Sequence, residues 1–83
     1  MKIEILGTGC PKCQLLTARI EAVANKLGVK YDLLKVTSLG EIMKRGVTFT
    51  PALILNGEVM VAGKVPNESD LAAMLKNALE QAT

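Results

Sequence analysis

Both cysteines of the chain lie in one short run, Gly7-Thr8-Gly9-Cys10-Pro11-Lys12-Cys13. A C-x-x-C pair has three chemistries open to it: thiol–disulfide exchange, soft-metal ligation, or a structural crosslink. The crosslink contributes least. In chain-entropy terms a loop of about four residues gains only about 2 kcal/mol from closure, against about 4.7 kcal/mol for a loop of about 100. A closed zinc site needs four ligands, and with two cysteines and no histidine one copy of the chain cannot supply them. A dimer bridged through the cysteines could still hold zinc or an iron–sulfur cluster. Nucleotide binding fails on the same stretch, because Lys12 stands where the last glycine of G-x-G-x-x-G belongs.

Composition narrows the setting. A chain of 83 residues makes one domain, spanning 1–83. It is 49% hydrophobic and only 2% aromatic, so its core is built from Leu, Ile, Val, Ala and Met. The net charge is +2 and the lysines are scattered, which does not favour nucleic acid. Tyr31 and Phe49 are too few for a base-stacking surface, and Lys44 with Arg45 reads as a solvated helix end. No segment approaches the roughly 18 continuous apolar residues of a membrane span. The opening MKIEILG is short and carries Glu4, unlike a signal sequence. A cytoplasmic protein is expected, and in that reducing compartment a cysteine pair is more often catalytic, redox-sensing or metal-binding than structural.

The elements that position the pair are marked by short periodic runs between turns. Residues 2–6, KIEIL, alternate apolar and polar and end at Gly7, which predicts a strand. From Pro11 to Leu27 the residues Leu16, Ile20, Val23 and Leu27 recur at helical spacing, with Gly28 as the stop. Residues 29–36, VKYDLLKV, predict a second strand, joined to the first through the helix as a right-handed parallel βαβ unit. Ser38 can cap a short helix through Arg45, with Leu39, Ile42 and Met43 as its buried side and Gly46 as its end. After Thr50-Pro51, the runs ALIL and EVMVA flank Asn56-Gly57, a strong hairpin signal. Leu71, Met74, Leu75, Ala78 and Leu79 form the apolar stripe of a last helix, with Ser69 or Asn67 as its cap and Pro66 before it. The order β-α-β-α-β-β-α predicts an α/β domain: a four-stranded mixed sheet flanked by three helices.

That order assigns different roles to the two thiols. Pro11 suits the first helical position, so Cys10 falls at or beside the N-cap. There free N–H groups and the positive end of the helix favour a thiolate, with a small contribution from Lys12. Cys10 is the expected nucleophile. Cys13 precedes Leu16 by three residues and Ile20 by seven, on the buried stripe of the same helix, and is the expected resolving thiol. Gly7 and Gly9 leave the sulfur without neighbouring side chains, either to admit a substrate backbone or simply as a flexible turn.

The order of elements, with GCPKC at the first strand-to-helix junction, TPALIL ahead of the hairpin and NGEVMVAGKVPNESDL through the last helix, resembles the thioredoxin and glutaredoxin superfamily. Its small prokaryotic redox-active disulfide proteins are most similar. The resemblance implies a thioredoxin-like fold and a protein disulfide oxidoreductase acting as a cytoplasmic monomer without a cofactor. Its implied partners are protein disulfides and a thioredoxin-reductase-like electron donor, with no nucleic acid or membrane. It further implies a cis Pro51 facing the cysteines, with Thr50 pairing an extended substrate segment and Gly9, Pro11, Lys12 and Gly63 completing the substrate contacts. Two departures bear on specificity. Thioredoxins usually have Trp before the first cysteine and Gly-Pro between the pair, where this chain has Gly9 and Pro11-Lys12. Glutaredoxins hold glutathione with a Gly-Gly pair and acidic residues after the hairpin, where Gly63 stands alone before Lys64, so activity independent of glutathione is expected. Glu4, on the first strand, could serve as the buried carboxylate that moves protons for Cys13 in thioredoxins, but a strand Glu on so short a segment is more often partly solvated, and that role is the weaker reading. A soft-metal carrier or iron–sulfur protein using the same cysteines is the alternative. Its element order, βαββαβ, disagrees with the helical ending DLAAMLKNALEQA.

Overall fold

A computed structural model describes residues 1–9 and 11–81. The elements are β1 (Lys2–Leu6), α1 (Pro11–Lys26), β2 (Asp32–Val36), α2 (Leu39–Lys44), β3 (Ala52–Leu55), β4 (Glu58–Ala62) and α3 (Glu68–Gln81). The sheet order is β2-β1-β3-β4. Strand β1 runs parallel to β2, with Ile5 opposite Lys35, and antiparallel to β3, with Glu4 opposite Ile54. The hairpin β3–β4 is antiparallel with an irregularity between Leu53 and Ile54. This is the expected four-stranded mixed sheet with three helices.

Strand alternation divides the core in two. Ile3, Ile5, Leu53 and Leu55 turn to one face and pack with Leu16, Ile20 and Val23 of α1 and with Leu71, Leu75 and Ala78 of α3. Leu6, Val36, Ala52 and Ile54 turn to the other face and meet Ile42 of α2 together with Val47.

Expectations shift in three elements. The predicted strand at 29–36 begins only at Asp32. The Val29 N–H donates back to the Ala24 carbonyl (3.0 Å) and the Gly28 N–H to that of Asn25 (3.2 Å), with Gly28 at φ +68°. Those two bonds close α1 in a left-handed cap and leave 29–31 as a connector. The predicted buried side of α2 is mostly exposed: Ile42 is buried, whereas Leu39 and Met43 are 65% and 67% exposed. Six residues give fewer than two turns, so one side chain reaches the sheet, and the Ser38 side chain makes no cap bond. On α3, Leu71, Leu75 and Ala78 are buried, but Met74 is half-buried and Leu79 exposed. Its cap is Asn67, whose Oδ1 accepts the Asp70 N–H at 2.9 Å.

The Asn-Gly turn forms as expected, with Asn56 at φ 50° and Gly57 at φ +87°, the left-handed pair that such a hairpin needs. Asn56 also holds the start of β1, its N–H donating to the Lys2 carbonyl and its Oδ1 accepting the Lys2 N–H, both at 2.9 Å.

Candidate active site

Cys10 lies outside the described residues; every other residue expected at the site is described. Pro11 is the first residue of α1, and both Pro11 and Lys12 are exposed. Cys13, two residues into the helix, turns inward and is only 5% exposed. This matches the helical spacing that links it to Leu16 and Ile20, both fully buried.

Gly7 backbone lies against Cys13. Gly7 follows β1 on the side of the sheet that carries Ile3 and Ile5, and a Cβ built on it would collide with Cys13 Sγ and stand 3.2 Å from Cys13 Cβ. The glycine therefore gives the sulfur its room. It is not a loose turn: the Gly7 N–H donates to the Val36 carbonyl at 2.9 Å, carrying the β1–β2 ladder one residue past the strand. The sequence reading set Gly7 beside the nucleophile; the structure sets it against Cys13. Gly9 needs glycine for another reason, its φ of +91°, since among the described residues nothing stands within reach of a Cβ there. Gln14 ties this loop to the helix by donating from Nε2 to the Gly9 carbonyl (3.3 Å). Thr17 Oγ1 donates to the Cys13 carbonyl (2.9 Å).

On the β3 side, the Thr50–Pro51 peptide bond is cis. Pro51 is buried, and its carbonyl accepts the Gly63 N–H at 2.8 Å. Thr50 is exposed and adjoins Gly7, whose built Cβ would lie 4.0 Å from Thr50 Cβ. Thr50, Pro51, Gly7 and Cys13 are thus brought together, and Gly63 joins them through Pro51. On the β2 side, a pocket of about 170 Å³ opens beside Cys13 and is lined by Gly7, Thr17, Lys35 and Thr37 among others. Sequence reasoning missed Lys35 and Thr37. The parallel register sets Lys35 opposite Ile5, and that face assignment was the signal that could have found it.

Glu4 corrects another expectation. It is buried, at 5% exposure, not partly solvated. It alternates with Ile3 and Ile5, so its carboxylate lies across the sheet from Cys13, where Oε1 accepts from Arg45 Nη2 (3.1 Å) and Nε (3.3 Å). Nor is Arg45 a solvated helix end, since its side chain is 27% exposed and also contacts Glu41 (3.3 Å). The hydrogen bond that Arg45 donates to Glu4 raises the Arg45 pKa above its ordinary value despite partial desolvation, with Glu41 adding to the effect. Lys44 is solvated as expected.

Comparison with known proteins bears on this arrangement. The sequence matches the family described as Thioredoxin domain over residues 1–76. It is 32% identical over 75 residues to a thioredoxin of Methanothermobacter thermautotrophicus, covering 90% of this chain and 97% of that protein. It is 33% identical over 78 residues to a thioredoxin of Methanocaldococcus jannaschii, covering 94% and 90% respectively. Among solved structures, the N-terminal domain of Synechococcus elongatus SasA superposes with a TM-score of 0.74 at 20% identity, covering 96% of this chain and 83% of that one. Thioredoxin 1 of Thermosipho africanus gives 0.66 at 17% identity, covering 99% and 98%. At those identities the structures speak to the fold alone, which is thioredoxin-like. The family match and the archaeal relatives carry the rest: the chain belongs to the thioredoxin family of thiol–disulfide oxidoreductases.

Proposed function

We propose that the chain reduces protein disulfides with Cys10 as nucleophile and Cys13 as resolving thiol, without glutathione. The observation that carries this reading is the burial of Cys13 against Gly7 on the inner side of the first turn of α1. A thiol so placed is shielded from bulky partners yet lies on the helix that begins one residue after Cys10 in the sequence.

The chemistry runs in two exchanges. The Cys10 thiolate, favoured by the N-terminal end of α1 and by the charge of exposed Lys12, attacks one sulfur of a substrate disulfide. That S–S bond breaks, a mixed disulfide forms, and the other substrate sulfur leaves as a thiolate. Cys13 then loses its proton and attacks Cys10. The second substrate sulfur departs, the substrate carries two thiols after protonation, and the chain holds a Cys10–Cys13 disulfide. A dithiol donor, a reductase of the thioredoxin-reductase type, returns the electron pair. Gly9, Pro11, Thr50 and Gly63 form the surface against which an extended substrate segment lies, its backbone pairing with Thr50, with buried Pro51 fixing the strand behind it. The lone Gly63 followed by Lys64, in place of a Gly-Gly pair and acidic residues, supports independence from glutathione. Such a reductant works in a reducing compartment, which supports a cytoplasmic location. Among the described residues no helix is long and apolar enough to cross a membrane.

Trapping tests the reading. Cys13→Ser keeps the size of the side chain, although a hydroxyl left without a partner there would cost about 1–3 kcal/mol. In cell extract this variant accumulates mixed disulfides with protein substrates, seen as heavier bands that collapse on reduction, while Cys10→Ser accumulates far fewer. Equal loss of metal affinity in both variants with no covalent adduct in either would replace the oxidoreductase reading with a metal-carrier one.

A further inference from the structure

Phe49 is the only phenylalanine in the chain, and it is 69% exposed. A single exposed ring needs no explanation on an ordinary surface; this one has a particular place. It precedes Thr50, which adjoins Gly7 and through it Cys13. Its base rests on the far side of the same junction, at Gly63. A Cβ on Gly63 would stand 3.1 Å from Phe49 Cβ, closer than side chains ordinarily approach, and 3.7 Å from Cγ, in ordinary contact. Gly63 is also at φ +86° and is pinned by its bond to the Pro51 carbonyl. The base of the ring therefore lies against a bare, fixed stretch of backbone, one residue along from Thr50, which adjoins Gly7 beside Cys13.

We infer that Phe49 is a specificity-determining residue for protein substrates, offering its ring to an apolar side chain beside the target cysteine. The inference rests on the oxidoreductase reading and names the substrates that it favours. The occupant is an extended segment, because a strand laid along Thr50 advances about 3.3 Å per residue. A side chain adjoining the cysteine then reaches the ring while the sulfur stays at the active site. It is apolar because the floor beneath the ring is glycine backbone and the neighbours Thr48, Thr50 and Ala62 carry no charge. Lys64, the charged residue adjoining Gly63 in the chain, opposes a basic side chain there. With no tryptophan in the chain, Phe49 is the aromatic surface that adjoins this site in the sequence.

Two disulfide-bearing peptides test this, identical except that the residues flanking the reactive cysteine are Leu in one and Ser in the other. Wild type is expected to favour the leucine peptide by about tenfold in kcat/KM, a typical size for one modest apolar contact, and the difference should appear in KM. Phe49→Ala should bring the two peptides within about twofold while leaving the melting temperature unchanged, since the ring is mostly in solvent. Phe49→Leu should recover most of the preference. A wild-type ratio near one, or a ratio that survives Phe49→Ala, would overturn the inference and leave the oxidoreductase reading standing. Failure of wild type to reduce either peptide would overturn both.

Discussion

The two faces of the sheet are built to different standards. Among the described residues, the face under α1 and α3 gathers twelve buried side chains, including Ile3, Leu16, Ile20, Leu53, Leu71 and Leu75 at 0% exposure. The face under α2 gathers six, and its one helix contributes only Ile42. The thicker face carries Cys13, Gly7 and, through α1, the residue that follows Cys10. The thinner one carries the Glu4–Arg45 pair, a polar tie in the region where apolar packing is sparse. Chemistry that needs a thiol held against backbone is mounted on the stiffer half, where α1 is packed between the sheet and α3. The helix over the other half has little to hold it down.

The sharpest test of that contrast is a matched pair of core truncations. Leu75→Ala, on α3, should cost in the upper part of the range of about 2–5 kcal/mol seen for buried leucines, because fixed neighbours on all sides keep the cavity open. Ile42→Ala should fall near its lower end, because a helix of fewer than two turns, with Leu39 and Met43 exposed, can settle into the space. Urea denaturation of both variants measures the difference. Equal losses would mean that the thinner face is as rigid as the other.

A smaller effect is expected from Gly7→Ala, which overfills the thicker face at the one point where it meets the chemistry. The added methyl group collides with Cys13 Sγ, and the bond from the Gly7 N–H to Val36 prevents an easy backbone retreat. The expected cost is about 1–3 kcal/mol. It should come with a fall in turnover greater than the loss of folded protein explains, measured by insulin reduction at a temperature where the variant is fully folded. Unchanged turnover would show that the sulfur has room to move elsewhere.

How much of this was legible in the sequence follows the same division. Period and punctuation located every element, because Gly28, Asn56-Gly57 and the stripes through Leu16 and Leu71 carry their own signals. The burial of Cys13 followed from its spacing to Leu16 and Ile20. What failed to show was tertiary. Whether a six-residue helix buries one side chain or three depends on how it lands on the sheet, so Leu39 and Met43 were misplaced. The pairing of Glu4 with Arg45 spans residues 41 apart, and no local pattern announces it. The closeness of Gly7 to Cys13 and of Gly63 to Phe49 is likewise contact between segments that only the folded chain brings together.

The smallest expected effect closes the comparison from the exposed side of α2. If Leu39 and Met43 lie in solvent as the thinner face implies, exchanging either for a polar residue removes almost no buried apolar area, and area removed from water is what sets the hydrophobic contribution. Leu39→Ser and Met43→Gln should therefore each change stability by no more than about 0.5 kcal/mol, the usual range for surface positions away from caps and ion pairs. Each variant should also reduce insulin at the wild-type rate, since both side chains sit on the helix across the sheet from Cys13. Met43→Gln is the cleaner of the two, because glutamine matches methionine in length and in helix propensity, whereas serine at position 39 also alters the first residue of α2. A loss of 2 kcal/mol or more from Met43→Gln in urea denaturation would show that α2 buries the predicted apolar side after all, and the difference between the two faces would disappear with it.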